Sequence, residues 1–285
     1  MNAIELKHVT KSYKDFQIQD MTFELPTGCI MGLIGENGAG KSTTIKMILD
    51  ITSYENGEIK VLGKNHQKGF EKVKEDIGVV LDEAEFPEFI TVKQVNKVMK
   101  YIYKNWEEGT FYQLVRKFNL PETKKRFSEF SRGMKMKLAI AVALSHQAKL
   151  LVLDEPTGGL DPVIRDEILD IFYDFTREED HSILISSHIV GDLEKLCDYI
   201  GYIHQGRLKI FEEKDLLLEQ YGILKCSKEE LEELDPSAVC GVRDYRYGLE
   251  VLVDKKWMPT QYETQQPGLE DIIVFLAKNE KEGIS

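Results

Sequence analysis

The stretch that most constrains this chain is Gly35-Glu36-Asn37-Gly38-Ala39-Gly40-Lys41-Ser42, followed by Thr43. It lies between the apolar run Cys29-Ile30-Met31-Gly32-Leu33-Ile34 and the amphipathic run Thr43-Thr44-Ile45-Lys46-Met47-Ile48-Leu49. The pattern G-x-x-x-x-G-K-[ST] demands that context, a buried strand turning sharply into a helix. Glycines allow backbone N–H groups to curl around a phosphate without Cβ clashes, and the helix start adds unpaired donors and partial positive charge. Lys41 is expected to reach the β- and γ-phosphates, and the Ser42 hydroxyl to ligate Mg²⁺.

A second element fits the same chemistry. Leu150-Leu151-Val152-Leu153 is a continuous apolar run, as a parallel strand covered on both faces requires, and it ends in Asp154-Glu155. Mg²⁺ prefers hard oxygen ligands and keeps several waters, which suits Asp154 as its carboxylate. Glu155, one residue on, is placed to polarise an attacking water as general base. His188, after the strand Ile183-Leu184-Ile185, fits a group sensing the γ-phosphate from the side opposite Lys41.

The rest of the chain reads as α/β: a mostly parallel sheet around the phosphate loop, with three attachments. Residues 3–25 alternate (Ile4, Leu6, Val9, Phe16, Ile18, Met21, Phe23, Leu25), which predicts an N-terminal antiparallel β subdomain. Tyr13 lies in its polar turn; on the residues alone, packing in the hairpin and stacking under a nucleotide base weigh equally. A short amphipathic helix is expected around Phe70 and Val73, then the strand Ile77-Gly78-Val79-Val80-Leu81 and the acidic loop Asp82-Glu83-Ala84-Glu85. Residues 87–146 read as a helical insertion: Thr91-Val92-Lys93-Gln94 has the form of a capping box, and Ser131 precedes a Leu- and Ala-rich helix. A helix is expected over 162–178, and a hairpin at His204-Gln205-Gly206-Arg207. From about Asp215 the pattern weakens, giving one strand at Leu249-Glu250-Val251-Leu252-Val253 and a short helix at 269–276. We divide the chain into residues 1–213 and a small α+β appendix, 214–285.

Composition narrows the function classes. A net charge of −12 argues against a broad nucleic-acid footprint and against polybasic membrane adsorption. No apolar stretch approaches a membrane span and no signal-peptide core opens the chain, so membrane work would require another protein to hold it there. Cys29, Cys197, Cys226 and Cys240 are scattered and favour neither zinc nor a disulfide framework. A GTPase reading fails because Asn96-Lys97-Val98-Met99 lacks the base-reading aspartate of NKxD.

Across residues 1–212 the chain resembles the ATP-binding subunit of ABC transporters. The decisive residues are Phe130-Ser131-Arg132-Gly133-Met134, similar to that family's Leu-Ser-Gly-Gly-Gln signature and in the family's order. Gly158-Gly159-Leu160-Asp161 is similar to its D-loop, His188 stands at the H-loop position, and Tyr13 at the aromatic A-loop position, which favours stacking. The resemblance implies ATP and Mg²⁺ as ligands and a head-to-tail pair of cassettes, either two copies or related chains. In that pair Ser131 and Gly133 of one would cap the phosphates held by residues 35–42 of the other. It also implies a separate transmembrane permease subunit, a position at the cytoplasmic face of the membrane, and no nucleic acid.

Three residues depart from the family pattern, among them Met134, which stands for the signature's glutamine. Arg132 replaces a glycine, and either adds positive charge near the triphosphate or turns to solvent. Asp82 stands where the Q-loop glutamine is usual, and either reaches Mg²⁺ through water or meets the membrane subunit. With Pro267-Gly268-Leu269-Glu270-Asp271-Ile272, these features resemble the branch serving bacterial antibiotic and peptide exporters. The competing reading is a soluble cassette ATPase of translation or DNA repair. Such proteins usually carry two cassettes, a long coiled coil or zinc cysteines, and none is present here.

Overall fold

A computed structural model describes residues 1–282 except 67, 83–85, 124, 247, 260 and 261, with side chains described up to residue 278. The expected acidic residues Glu83 and Glu85 therefore lie outside the described residues.

The N-terminal half contains β1 (Asn2–Ser12), β2 (Gln17–Pro26), β3 (Ile30–Ile34), α1 (Lys41–Ile48), β4 (Asn56–Val61), β5 (Lys64–Asn65) and β6 (Ile77–Val80). Three helices follow: α2 (Val92–Ile102), α3 (Glu108–Lys117) and α4 (Arg132–Ala143). Then come β7 (Leu150–Asp154), α5 (Pro162–Phe175), β8 (Ser182–Ser187), α6 (Val190–Leu196), β9 (Tyr199–His204) and β10 (Arg207–Glu213). The C-terminal part comprises α7 (Lys214–Gln220), β11 (Tyr221–Cys226), α8 (Lys228–Glu232), β12 (Val239–Tyr245), β13 (Gly248–Asp254) and α9 (Leu269–Glu282).

Among the described residues the strands form three sheets, ordered β2-β1-β4-β5, β10-β9-β3-β8-β7-β6 and β11-β13-β12. The central sheet is parallel except for its edge strand β10. Its inner strands β3, β7 and β8 are buried along their whole length, and their alternate residues serve two different cores. Met31, Leu33, Val152 and Leu184 face the antiparallel sheet and α1, whereas Ile34, Leu151, Leu153 and Ile185 face the helices. Two covered faces are why these strands read as unbroken apolar runs.

Parallel pairing also aligns the strand ends. Ile34 is level with Ser187, Asp154 with Ser186, and Val80 with Leu153. The residues that follow all emerge on one edge, the carboxyl end where open α/β sheets bind ligands.

The helix starts form as their sequences require. Thr91 and Gln94 make the reciprocal capping box of α2, and Ser131 Oγ accepts from the Met134 N–H to cap α4. Residues 70–76 differ from the expected helix and form two short 3₁₀ turns. Gly69 enters at φ +111°, and too few residues follow to propagate an α-helix. Helix α5 stops at Phe175, short of 178, and α9 extends to Glu282, well past 276.

In the C-terminal part β11 and β12 flank β13, so the one expected strand is the middle of three. One face of this sheet closes over Leu224, Leu234, Leu249, Val251 and Val253. On the other, Ile223, Leu252, Ile272 and Phe275 join the core that contains Leu196 and Cys197. Arg243 fastens α9 to the sheet by pairing with Glu250 and Asp271, its guanidinium over the Phe275 ring. Glu194 of α6 accepts from the Leu269 N–H through Oε2 and from Lys214 Nζ through its carbonyl. Strand β10 passes directly into α7 at 213–214, so the appendix leans on the helix that follows His188.

Candidate functional site

Residues 35–42 form the turn between β3 and α1. Helix α1 has no side-chain cap: its N-cap is Gly40 at φ +117°, leaving its first-turn N–H groups open to a ligand. At Gly40 a Cβ would lie 2.5 Å from Ile18 Cδ1, so the positive φ and the close approach of β2 both require glycine. Glu36, Asn37, Gly38 and Ser42 are exposed, Thr43 is half-buried, and Gly35 and Ala39 are buried.

The loop is braced from behind by the β9–β10 turn. Gly206 donates its N–H to the Ala39 carbonyl at 2.9 Å and accepts from the Gln19 N–H at 2.8 Å. A Cβ on Gly206, at φ +75°, would sit 1.8 Å from the Gln17 carbonyl oxygen. Gly206→Ala is therefore expected to cost about 1–3 kcal/mol of stability and to weaken ATP binding by displacing Ala39. Thermal unfolding and equilibrium dialysis check both effects.

Lys41 folds back over its own loop. Its Nζ donates to the Gly35 carbonyl at 2.7 Å and the Glu36 carbonyl at 3.4 Å, and stands 3.4 Å from Glu155 Oε1. Both side chains of this ion pair are largely buried, 6% and 13% exposed. Apart from that ammonium, Glu155 Oε1 is buried without a hydrogen-bond partner. The other oxygen, Oε2, accepts from His188 Nδ1 at 2.7 Å and from the His188 N–H at 3.3 Å. The three residues named from sequence as phosphate ligand, base and γ-phosphate sensor thus meet at one carboxylate.

The backbone fixes that carboxylate. Glu155 sits at φ +51°, and its N–H is held by Ser186 through both the carbonyl and Oγ, each at 3.1 Å. The Ser186 hydroxyl in turn donates to Asp154 Oδ1 at 2.6 Å, deep in the sheet. Beyond Glu155, Thr157 Oγ1 donates to the buried Asp192 of α6, which also pairs with Arg165 of α5. This anchor of the 155–161 turn went unseen in the sequence, where nothing singles out Asp192 from other acids in a helical first turn.

Ser42 and Asp154 are the residues that would hold a magnesium ion. Among the described residues no three His, Cys, Asp or Glu side chains cluster as a metal cage. What the chain offers is the exposed Ser42 hydroxyl and the carboxylate of Asp154. That donor set matches a cation that keeps its waters and takes its remaining oxygens from substrate. Asp82 is engaged elsewhere: it pairs with Arg132, and among the described residues no hydrogen bond or ion pair joins it to Ser42 or Asp154. It follows β6 at the sheet edge, three strands from β3, or roughly 14 Å at ordinary strand spacing.

Two clefts accompany these groups. One, of about 380 Å³, is lined by Phe16, Gln17, Glu36, Asn37, Gly38 and His204 among others. Phe16, which the sequence reading used only as a strand residue, is the ring that lines it. Tyr13 is half exposed, 6.5 Å from Phe16 between ring centroids, and does not itself line the cleft. The second, of about 400 Å³, is lined by Ser131, Arg132, Gly133, Met134, Leu160 and Asp161 among others. Among the described residues none lines both clefts.

Comparison with known proteins gives the family. The family model described as ABC transporter matches residues 18–158. Over 219 residues the chain is 33% identical to the ABC transporter ATP-binding protein YtrB of Bacillus subtilis (strain 168), covering 76% of this chain and 74% of that protein. It is 34% identical over 207 residues to the bacitracin transport ATP-binding protein BcrA of Bacillus licheniformis, covering 72% and 68%. Among solved structures, an ATP binding subunit of an ABC transporter superposes with a TM-score of 0.69 at 29% identity, covering 76% of this chain and 92% of that one.

Proposed function

This chain belongs to the ABC transporter family as an ATP-binding, ATP-hydrolysing subunit, and on that premise we propose that it powers export of a peptide antibiotic or similar amphipathic compound. The relative named for bacitracin transport supports that choice of cargo. It works on a separate permease, from the cytoplasmic face of the membrane; among the described residues no helix is long and apolar enough to cross a membrane.

The observation that carries the proposal is that the phosphate loop and the Ser131–Gly133 segment line two different clefts. Gly35, Glu36, Asn37, Gly38, Ala39, Gly40, Lys41, Ser42 and Thr43 hold the triphosphate, with Lys41 turning from its carbonyls to the phosphate oxygens. Ser131 and Gly133 line the other cleft, and the closed site takes them from a second cassette. Ser42 and Asp154 would hold Mg²⁺, which when bound offsets the charge of the phosphates. Glu155 takes the proton of the attacking water, and His188 keeps that carboxylate oriented and faces the γ-phosphate. Residues 1–213 hold all of these groups, and 214–285 form an accessory unit braced on α6.

Tyr13 stacks on the base, next to the Phe16 that lines the first cleft. Tyr13→Ala is expected to weaken ATP binding by about 1–3 kcal/mol and Tyr13→Phe to leave it near wild type; equal losses in titrations of the two variants would remove the stacking role.

Purification of the tagged chain from native membranes tests the function. It should sediment with membranes, and co-elute with a multi-span membrane protein, only when that protein is expressed. Sedimentation independent of a partner, or RNA in the eluate, would contradict the transporter role.

A further inference from the structure

Two of the residues that depart from the family pattern, Arg132 and Asp82, sit on each other. Arg132 Nη2 donates to Asp82 Oδ1 at 2.6 Å, across 50 positions of chain. The same guanidinium covers the turn after Glu155: a Cβ on Gly159 would lie 3.4 Å from Arg132 Nη1, and one on Gly158 3.7 Å from Nη2. Arg132 therefore touches, besides its own helix α4, the end of β6 and the turn leading from Glu155 to α5.

The pair is loosely held. Its side chains are 60% and 44% exposed, and exposed ion pairs gain little over hydration. A guanidinium binds phosphate oxygens in the same forked geometry as a carboxylate. Arg132 is flanked by Ser131 and Gly133 on the wall of the second cleft, so an arriving triphosphate meets a cation whose existing partner carries only one negative charge. Exchange swaps one charge-assisted contact for another, so small changes in either partner set its balance.

We propose that Asp82 competes within the chain for Arg132, and that exchange of this carboxylate for the triphosphate of a second cassette tunes ATP-dependent pairing. In the unpaired chain Asp82 neutralises Arg132 and holds it over Gly158 and Gly159. In the pair Arg132 moves to the partner's ATP and Asp82 is released. Asp82 follows β6, the strand neighbour of the β7 that carries Asp154, and its release thereby registers that the other cassette is loaded. This deepens the proposed function and rests on Ser131 and Gly133 facing the ATP of a second cassette.

The test measures the ATP concentration at which the Glu155→Gln chain pairs half-maximally, by sedimentation velocity. Adding Asp82→Asn should lower that concentration roughly two- to fivefold, and adding Arg132→Ala should raise it on the order of tenfold. With Arg132→Ala already present, Asp82→Asn should change nothing. An unchanged or higher threshold in Asp82→Asn overturns the exchange. So does an equal decrease in the absence of Arg132, which would be a general effect of removing a negative charge. Gly133→Asp separates the two readings. Pairing that ignores Gly133→Asp overturns the two-cassette site itself, whereas pairing abolished by Gly133→Asp but indifferent to Asp82 and Arg132 overturns the exchange alone. ATP binding by each unpaired variant, measured by dialysis, confirms that it is folded.

Discussion

Glu155→Gln should bind ATP at least as tightly as the native chain while hydrolysing it about 10²- to 10⁴-fold more slowly, the usual contribution of a positioned base. The structure gives both halves of that expectation. The carboxamide oxygen can accept from the His188 N–H and Nδ1–H as Oε2 does; its NH2 then faces Lys41 in place of Oε1, and the ion pair lost there is replaced when phosphate binds Lys41. A neutral amide cannot take a proton from water, and it no longer repels the phosphates beside Lys41. Phosphate release followed in parallel with equilibrium dialysis checks both. Native turnover in this variant would remove Glu155 from the base role.

Lys41→Ala carries two separable losses. It removes the cation expected at the β- and γ-phosphates, so ATP affinity should fall at least tenfold. It also strips Glu155 Oε1, buried and without a hydrogen-bond partner, of the ammonium 3.4 Å away. Breaking a buried ion pair from one side costs about 3–5 kcal/mol; the residual exposure of Glu155 places the expected loss near the low end. The double variant Lys41→Ala with Glu155→Gln should recover most of that stability, because no carboxylate is left uncompensated, yet still fail to bind ATP. Chemical denaturation and dialysis distinguish the outcomes. If the double variant is no more stable than Lys41→Ala, the ion pair is not what holds the empty site together.

Much of this arrangement was legible because it rests on local rules. The runs 30–34, 150–153 and 183–185 announce strands covered on both faces, and the glycine spacing of 35–42 announces a turn that only positive φ can make. Thr91 and Ser131 cap the helices they were expected to cap. What escaped depends on contacts distant in sequence. Strand β11 follows α7 without a turn residue between them, and β12 carries Gly241, Arg243 and Asp244, so neither shows clean alternation. Both are strands because β13 lies between them and α9 covers one face. Arg132 and Asp82 were each visible as unusual, but no pattern in a linear chain says which acid meets which cation 50 positions away. The same holds for Thr157 and Asp192.

The site divided between two cassettes is tested most directly by counting the chains in one particle of the Glu155→Gln protein. Mass measurement is made with and without saturating ATP, on the chain alone and on the complex purified with its membrane subunit. The expected result is a 32.8 kDa monomer that ATP converts to a two-cassette particle, and that returns to monomer on carrying Gly133→Asp. A single cassette per particle at saturating ATP in both preparations, with ATP bound, would contradict it.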